Sequence, residues 1–509
     1  MNQFPWLTVI GVIPLLGAAV LWLLPPSMSA RAKPLALGFS LVTLAVTVGA
    51  ALAFKPGSSE QFQLVEQHTW IPQFGVSYAL GVDGIALSLI LMSVILVPIC
   101  LLAAWHDLAP EEQHRERHYF ALMLVLLTFM VGVFAATDVF LFYVFFEAML
   151  VPVYFLIGQF GGPRRQYAAV KFLLFSLTGG LIMLAAVIGL YVVGPGGPEG
   201  FLVTNLAGLH LPPGTERWLF VGFFIAFAVK APLVPVHTWL PDAAAESRPA
   251  TATLLVGVLD KVGTYGMIRF CVELFPGASQ WATPVVIALA LLSIVYGALL
   301  AIAQTDMMRL IAFTSVSHFG FIVLGIFAFT TTGWAGSTTY MLNHGFTTAG
   351  LFLFAGMLIA RRGSKRIPDF GGWQRVVPAL AGVWLLTGLS TLSLPGMGSF
   401  ISEFLVLAGT FQRYQVVAAV ATTGIILAAL YILLMYQRTM TGPRPDIDVP
   451  DLSGREKWVA VPLIALFIVL GFYPKPVLDL VTPANGRILS SIQVSDPAPV
   501  VDTAEGAPR

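Results

Sequence analysis

The sequence predicts an all-α polytopic membrane protein of about 14 transmembrane helices. Three observations lead there. Hydrophobic residues make up 57% of the chain and charged residues 10%, whereas an average soluble domain is about a quarter charged. Apolar runs of about 20 residues, the length of a helix that crosses a bilayer, recur along the chain. The basic residues between those runs divide unevenly between the two faces, as connecting loops of a multi-pass protein do.

The same composition removes several functions. A net charge of +1 gives no electrostatic footprint for nucleic acid. Cys100 and Cys271 stand alone in apolar sequence and read as packing residues, with no disulfide or iron–sulfur spacing. His210, His237, His318 and His344 show neither H-x₃-H nor HExxH spacing, so no metal is expected. There is no G-x-G-x-x-G and no Walker loop, hence no nucleotide chemistry. The opening MNQFPWLTVIGVIPLLG lacks the charged start and cleavage site of a signal peptide and reads as the first span.

By hydropathy the spans fall at about 5–24, 34–54, 79–104, 118–136, 138–160, 167–193, 217–237, 249–273, 283–303, 309–330, 337–360, 377–409, 413–437 and 456–473. An even number puts both termini on one side. Of the 27 Lys and Arg, most fall in loops on one face, among them Arg31, Arg115, Arg164, Arg165, Arg361, Arg362, Lys365 and Arg455. Only Lys55, Arg217, Arg413, Lys475, Arg487 and Arg509 fall on the other. The positive-inside rule makes the first face cytoplasmic and leaves both termini outside. The outer stretches 55–77 and 195–215 read as loop-like caps. The chain thus divides into 1–117 (three spans and an outer loop), 118–273 and 283–437 (two repeats of five helices), 438–480 (the final span) and 481–509. This last segment, rich in Pro, Ala and acids, reads as disordered.

The repeat rests on paired features. Tyr167 precedes Lys171 by four residues, as Tyr340 precedes His344. Pro232 interrupts the next helix of the first half, as Pro395-Gly396 interrupts that of the second. Paired Pro/Gly breaks in two halves point to a transporter's repeats and to its site.

Charges inside the spans carry the functional signal. Lys230 and Lys261 each stand in otherwise apolar sequence, where a lysine costs roughly 2.5–3.5 kcal/mol and needs a partner or a job. Lys230 abuts the break at Pro232 and Pro235, and broken backbone survives in a membrane only inside protein or against a wet cavity. Glu147, in YVFFEAML, pairs with Lys230 on this reading. At ~7 Å and an effective dielectric near 20 their attraction is about 2.4 kcal/mol, enough to switch if the pair moves. Asp260 precedes Lys261, but adjacent helix positions point about 100° apart, so it is not the natural partner. Gly263 and Gly266 allow close helix approach beside Lys261. Arg269 and Lys171 read either as snorkelling or packing residues or as functional ones. His318, with Ser315 and Ser317 to hold a water beside it, is a station that both gives and takes a proton; His344 and Tyr265 support it. Glu403 lies two turns past the Pro395 break. His237, two turns after Lys230, suits a capping or intake role.

At these residues the chain resembles the antiporter-like, proton-pumping membrane subunits of respiratory complex I (NADH:quinone oxidoreductase), and among them the subunit four, or chain M, type. The resemblance covers nearly all of the chain to about residue 480 and rests on FEAMLVPVYFLIGQFGG, FAVKAPLVPVHTWLPDA, LDKVGTYGMIRF, QTDMMRLIAFTSVSHFGF, LNHGFTTAG and LSLPGMGSFISEF. It implies fourteen helices containing two inverted five-helix repeats. It also implies proton transfer through Glu147, Lys230, Lys261, His318 and Glu403. Sibling subunits usually carry lysine near Glu403. Two stretches depart from the family pattern: Met308 stands where a basic residue is usual, and AAAESRPAT keeps only Glu246 and Pro249 in place. No cofactor is expected in this chain; FMN, iron–sulfur clusters and quinone belong to partner subunits. The implied partners are other membrane subunits, with siblings on both flanks, and lipids of a bacterial inner membrane. A subunit of a multi-subunit cation/proton antiporter or a membrane-bound hydrogenase would share most of these motifs.

Overall fold

The structure, a computed structural model, describes residues 4–108 and 115–498. Fourteen helical spans follow in chain order: α1 (Trp6–Leu23), α2 (Ala32–Ala53), α3 (Gly84–Ala103), α4 (Glu116–Ala135), α5 (Val139–Phe160), α6 (Arg165–Val193), α7 (Pro213–Lys230), α8 (residues 249–272), α9 (Pro276–Ile302), α10 (Met307–Phe327), α11 (Thr331–Arg362), α12 (Pro378–Thr391 with Gly398–Arg413), α13 (Gln415–Met440) and α14 (Gly454–Phe472). Ten of these are continuous and apolar enough to cross a bilayer by that criterion alone. The other four are α7, α8, α12 and α14, and three of those are where the chain is broken or charged.

The breaks have local causes. Pro232 and Pro235 cannot donate backbone hydrogen bonds, so α7 stops at Lys230 and the chain turns through to a short helix, Trp239–Glu246. In α12 the helix stops at Thr391 and resumes at Gly398, with Gly396 at φ +93° between them. α8 is continuous but contains two wide, π-type turns, Leu255–Leu259 and Met267–Val272. Freed backbone groups at membrane depth must find partners in the protein, and they do. Trp239 Nε1 donates to Val229 O (2.9 Å), Val234 N to Ser293 Oγ (3.0 Å), and Asn343 Nδ2 to Gly398 O (2.7 Å).

Around this centre the packing is layered. α8 is buried from Ala250 onward and α10 at every residue but Arg309. α1, α2, α6 and α13 lie outside and turn apolar side chains outward, including Leu52, Val192, Val416 and Ile426. So much exposed apolar surface belongs against lipid or a neighbouring membrane protein, not water.

Two sequence expectations are corrected at the end of the bundle poorer in basic residues. Residues 55–77 are not only loop. Strand β1 (Gln63–Ile71) pairs antiparallel with β2 (Val76–Val82) around a turn at Gly75, φ +66°. The span expected from 79 begins at Gly84, after Asp83, whose carboxylate caps it by accepting from Ala86 N at 2.9 Å. A short apolar strand running into an apolar helix gives one continuous hydropathy signal. The second correction concerns 481–509. Helix α15 (Lys475–Ser491) bends 68° from α14 and buries Val481, Ala484, Asn485, Ile488 and Leu489. Asn485 Nδ2 donates to Thr338 Oγ1 (3.0 Å) and Arg487 Nη1 to Ser58 O (2.8 Å). Beyond it Asp496 accepts from Thr331 N and Ser495 O from Arg413. Pro and acids averaged over the whole tail hid an apolar face recurring every three or four residues. The remainder of that expectation, 499–509, lies outside the described residues.

Ion pairs lock the end of the bundle richer in basic residues. Asp242 pairs with Lys171 (2.6 Å) and with Arg309. Glu246 accepts from Arg164 N (2.9 Å) and faces Lys365 (3.5 Å), which also meets Asp306 at 3.2 Å. Arg361 grips both oxygens of Glu456 at 2.8 Å. Lys171 is therefore a packing residue rather than a snorkelling one. Arg269 does not snorkel either: it is buried between Asp83 and Glu273, tying the C-terminal end of α8 to the start of α3.

Candidate functional site

The buried charged residues converge on the broken helices. Glu147 projects from α5, half-buried, towards α6. A methyl group at Gly180 would overlap its carboxylate, so the glycine makes the room that the carboxylate occupies. Lys230 ends α7 and is buried. Its Nζ lies 5.0 Å from the centre of the Phe146 ring and 5.6 Å from that of Phe172, with no hydrogen bond from the chain. It interacts electrostatically with Glu147 but forms no contact ion pair with it. Stacking over two rings is worth roughly 0.5–2 kcal/mol, comparable with the attraction expected of the carboxylate. The ammonium is thus held loosely, beside a break.

α8 crosses that break closely. A methyl group at Gly263 would come within 2.5 Å of Ala231 N and 2.6 Å of Phe227 O. In the first wide turn of α8 the Asp260 amide reaches back five residues, to Leu255 O (3.2 Å). An α-helical Asp260 would have bonded Val256 O. That freed carbonyl accepts from Lys261 Nζ at 2.7 Å. The same Nζ lies 2.7 Å from His344 Nδ1 and 5.1 Å from the centre of the Phe319 ring.

From there the row continues into the second half. His344, whose Nε2 is 3.2 Å from Thr348 Oγ1, stands 5.4 Å from His318 between ring centres. His318 Nε2 lies 3.1 Å from Tyr431 Oη, and its ring is 5.9 Å from that of Tyr340. Both tyrosines interact with the buried Glu403, with Ser393 alongside. All of Lys261, His344, His318, Tyr340, Tyr431 and Glu403 are buried. The order along the row is Glu147, Lys230, Lys261, His344, His318, Tyr431 and Glu403.

Three of the expected supporting residues donate their hydroxyls to backbone. Ser317 Oγ donates to Ile294 O (2.8 Å), Ser315 Oγ to Ile311 O (3.3 Å) and Tyr265 Oη to Phe134 O (3.0 Å). Their hydroxyl hydrogens go to backbone, which leaves their oxygens to accept from water; the side chain that directly joins Lys261 to the second half is His344. His237 is buried beside Tyr296 and Phe313, below the Pro232 break. Pro232 and Pro395 mark the two breaks themselves. Sequence reasoning missed Tyr431, an ordinary aromatic in an apolar span. It also set aside Asp260, whose carboxylate is fully buried with neither oxygen hydrogen-bonded.

Broken helices meeting a buried row of titratable side chains define a polytopic membrane protein of the antiporter-like class. Residues 136–428 match the family model described as NADH:quinone oxidoreductase/Mrp antiporter, and residues 58–133 that of the amino terminus of NADH-ubiquinone oxidoreductase chain 4. NADH-quinone oxidoreductase subunit M of Mycobacterium tuberculosis is 51% identical, over 98% of this chain and 97% of that protein. The subunit M of Rhodobacter capsulatus is 37% identical over 95% and 96%. A chain of respiratory complex I from Thermus thermophilus with bound NADH superposes with a TM-score of 0.87 at 31% identity, covering 96% of this chain and 99% of that one. The chain belongs to the family of NADH:quinone oxidoreductase membrane subunits of the subunit M, or chain 4, type.

Proposed function

We propose that this chain is a proton-translocating membrane subunit of NADH:quinone oxidoreductase, moving protons along the buried row while quinone reduction in other subunits supplies the energy. The observation that carries the reading is the Lys261–His344 contact at 2.7 Å. It joins the lysines of the first half to the histidines and Glu403 of the second through groups that all exchange protons. An amine donating to an imidazole nitrogen is a proton-transfer pair. Glu147 acts as the switch. Drawn towards Lys230 it favours the ammonium, and withdrawn it leaves the lysine to its apolar rings and to burial, which disfavours charge. Its half-buried place on the flank suits coupling to a neighbouring subunit. Glu403 is the terminal carboxylate, handing the proton on. The chain supplies no redox centre on this reading; FMN, iron–sulfur clusters and quinone belong to partners. The basic face is cytoplasmic, both termini lie outside, and the membrane is the bacterial inner membrane.

The test is Glu147→Gln in the assembled complex. Pumping and coupled quinone reduction are expected to fall by about tenfold or more, the equivalent of about 1.4 kcal/mol on the barrier, with assembly intact. Full pumping by the assembled variant would rule out the switch.

A further inference from the structure

We propose that Asp260 is a proton-carrying group of the row, standing between Lys230 and Lys261. The inference rests on the proton-translocating function just proposed. Outside the row's own Glu403, the other fully buried carboxylates are tied down. Asp138 accepts from Ser77 N and Leu141 N, both at 2.9 Å, Asp83 from Ala86 N and Arg269, and Glu273 from Arg269 (2.7 Å) and Gln61 (2.6 Å). Asp260 is 0% exposed, and neither of its oxygens has a hydrogen-bond partner. A carboxylate left so in a low-dielectric interior must take up a proton or answer a nearby cation.

Its neighbours are cations. Asp260 interacts electrostatically with both Lys261 and Lys230. Lys230 meets Glu147 and Asp260, and Lys261 meets Asp260. Asp260 is thus a charged group that both lysines meet. Position explains this. Asp260 follows the first wide turn of α8, and successive helical positions point about 100° apart. Lys261 turns to His344, so Asp260 faces about 100° away from it, and Lys230 is the other charged group it meets. The elements packed against this turn, α3, α4, α7 and α11, carry among their buried titratable groups Cys100, Tyr119, Lys230, Tyr340 and His344, and of these Lys230 is the one charged group that faces Asp260 electrostatically.

The step balances. An N–H bond of the Lys230 ammonium breaks as an O–H bond forms on the Asp260 carboxylate, leaving a neutral amine and a neutral acid. That O–H bond then breaks as the Lys261 amine takes the proton, restoring the carboxylate. Bridging water carries the proton across any gap longer than a hydrogen bond.

The experiment uses the whole complex in sealed vesicles, with Asp260→Asn and Asp260→Glu beside Glu147→Gln and Lys261→Met. Proton pumping is read together with the infrared carbonyl band of protonated carboxylic acids during turnover. Asp260→Asn is expected to lose about tenfold or more in pumping and one carboxylic band; Asp260→Glu keeps substantial pumping and shifts that band. Wild-type pumping by Asp260→Asn while the two controls are defective overturns this inference alone. Lost pumping with every carboxylic band retained also overturns it, because Asp260 then only positions charge. Should Asp260→Asn fail to assemble, Asp260→Glu decides, and an unshifted band counts against the proposal. Normal pumping by both controls overturns the underlying function and this inference with it.

Discussion

At the scale of single residues, small residues leave room for buried charged ones. Gly180 is the sharpest case, since its missing side chain is where the Glu147 carboxylate sits. Gly180→Ala should push that carboxylate away from Lys230 and lower pumping several-fold. The shorter carboxylate of Glu147→Asp should partly restore it in the double variant, as neighbouring substitutions are expected to couple. Independent, additive losses in vesicle pumping assays would contradict the steric account. Outside the spans, burial pushes the Asp107 carboxyl up to about 6, against the pull of Arg248 and Arg455. The sign follows from linkage. The folded protein favours the protonated acid, so ionisation costs stability that is absent below the ordinary carboxyl range of about 3.9 and complete above about 6. Asp107→Asn should therefore raise the Tm of the complex at pH 8 by on the order of 2 °C and leave it nearly unchanged at pH 4. An equal shift at both values would show that packing, not ionisation, is responsible. Most of the buried charges were legible in the sequence because a lysine or glutamate in an apolar helix is costly enough to stand out. Asp260 was discounted by helix geometry that assumed an ordinary α-turn. Tyr431 carried no charge to betray it.

At the scale of elements, the breaks in α7 and α12 were written as prolines and could be read. The wide turns of α8 were not, because no residue type specifies them; they lie where α8 packs against α7 and α11. Their consequence is direct, since the displaced backbone bond at Asp260 frees Val256 O for Lys261. Hairpin β1–β2 and helix α15 were lost for a different reason: hydropathy averages over windows longer than either apolar face. The role of α15 is testable. Ile488 and Leu489 are buried, and large-to-small changes at such sites cost about 2–5 kcal/mol each. The double change Ile488→Ala with Leu489→Ala should detach α15, exposing the chain after Tyr473 to protease in the assembled complex. Unchanged protection would mean that α15 is held by the ends of its loop contacts, Arg413–Ser495 and Arg487–Ser58, rather than by its apolar face.

At the scale of the whole molecule, two halves meet along α8 and α11, and ion pairs fasten one end of the bundle. Topology is checked with Ser364→Cys, in the loop after α11. A membrane-impermeant thiol reagent outside sealed cells should leave it unlabelled, and efficient outside labelling would reverse the assigned orientation. The central claim is that protons cross from one half to the other at Lys261 and His344. It is tested most directly by the number of protons translocated per NADH oxidised when the assembled complex carries Lys261→Met in sealed vesicles. The account predicts coupled turnover reduced by about tenfold or more, with fewer protons moved per NADH in what remains. A wild-type rate at the wild-type proton ratio would contradict it.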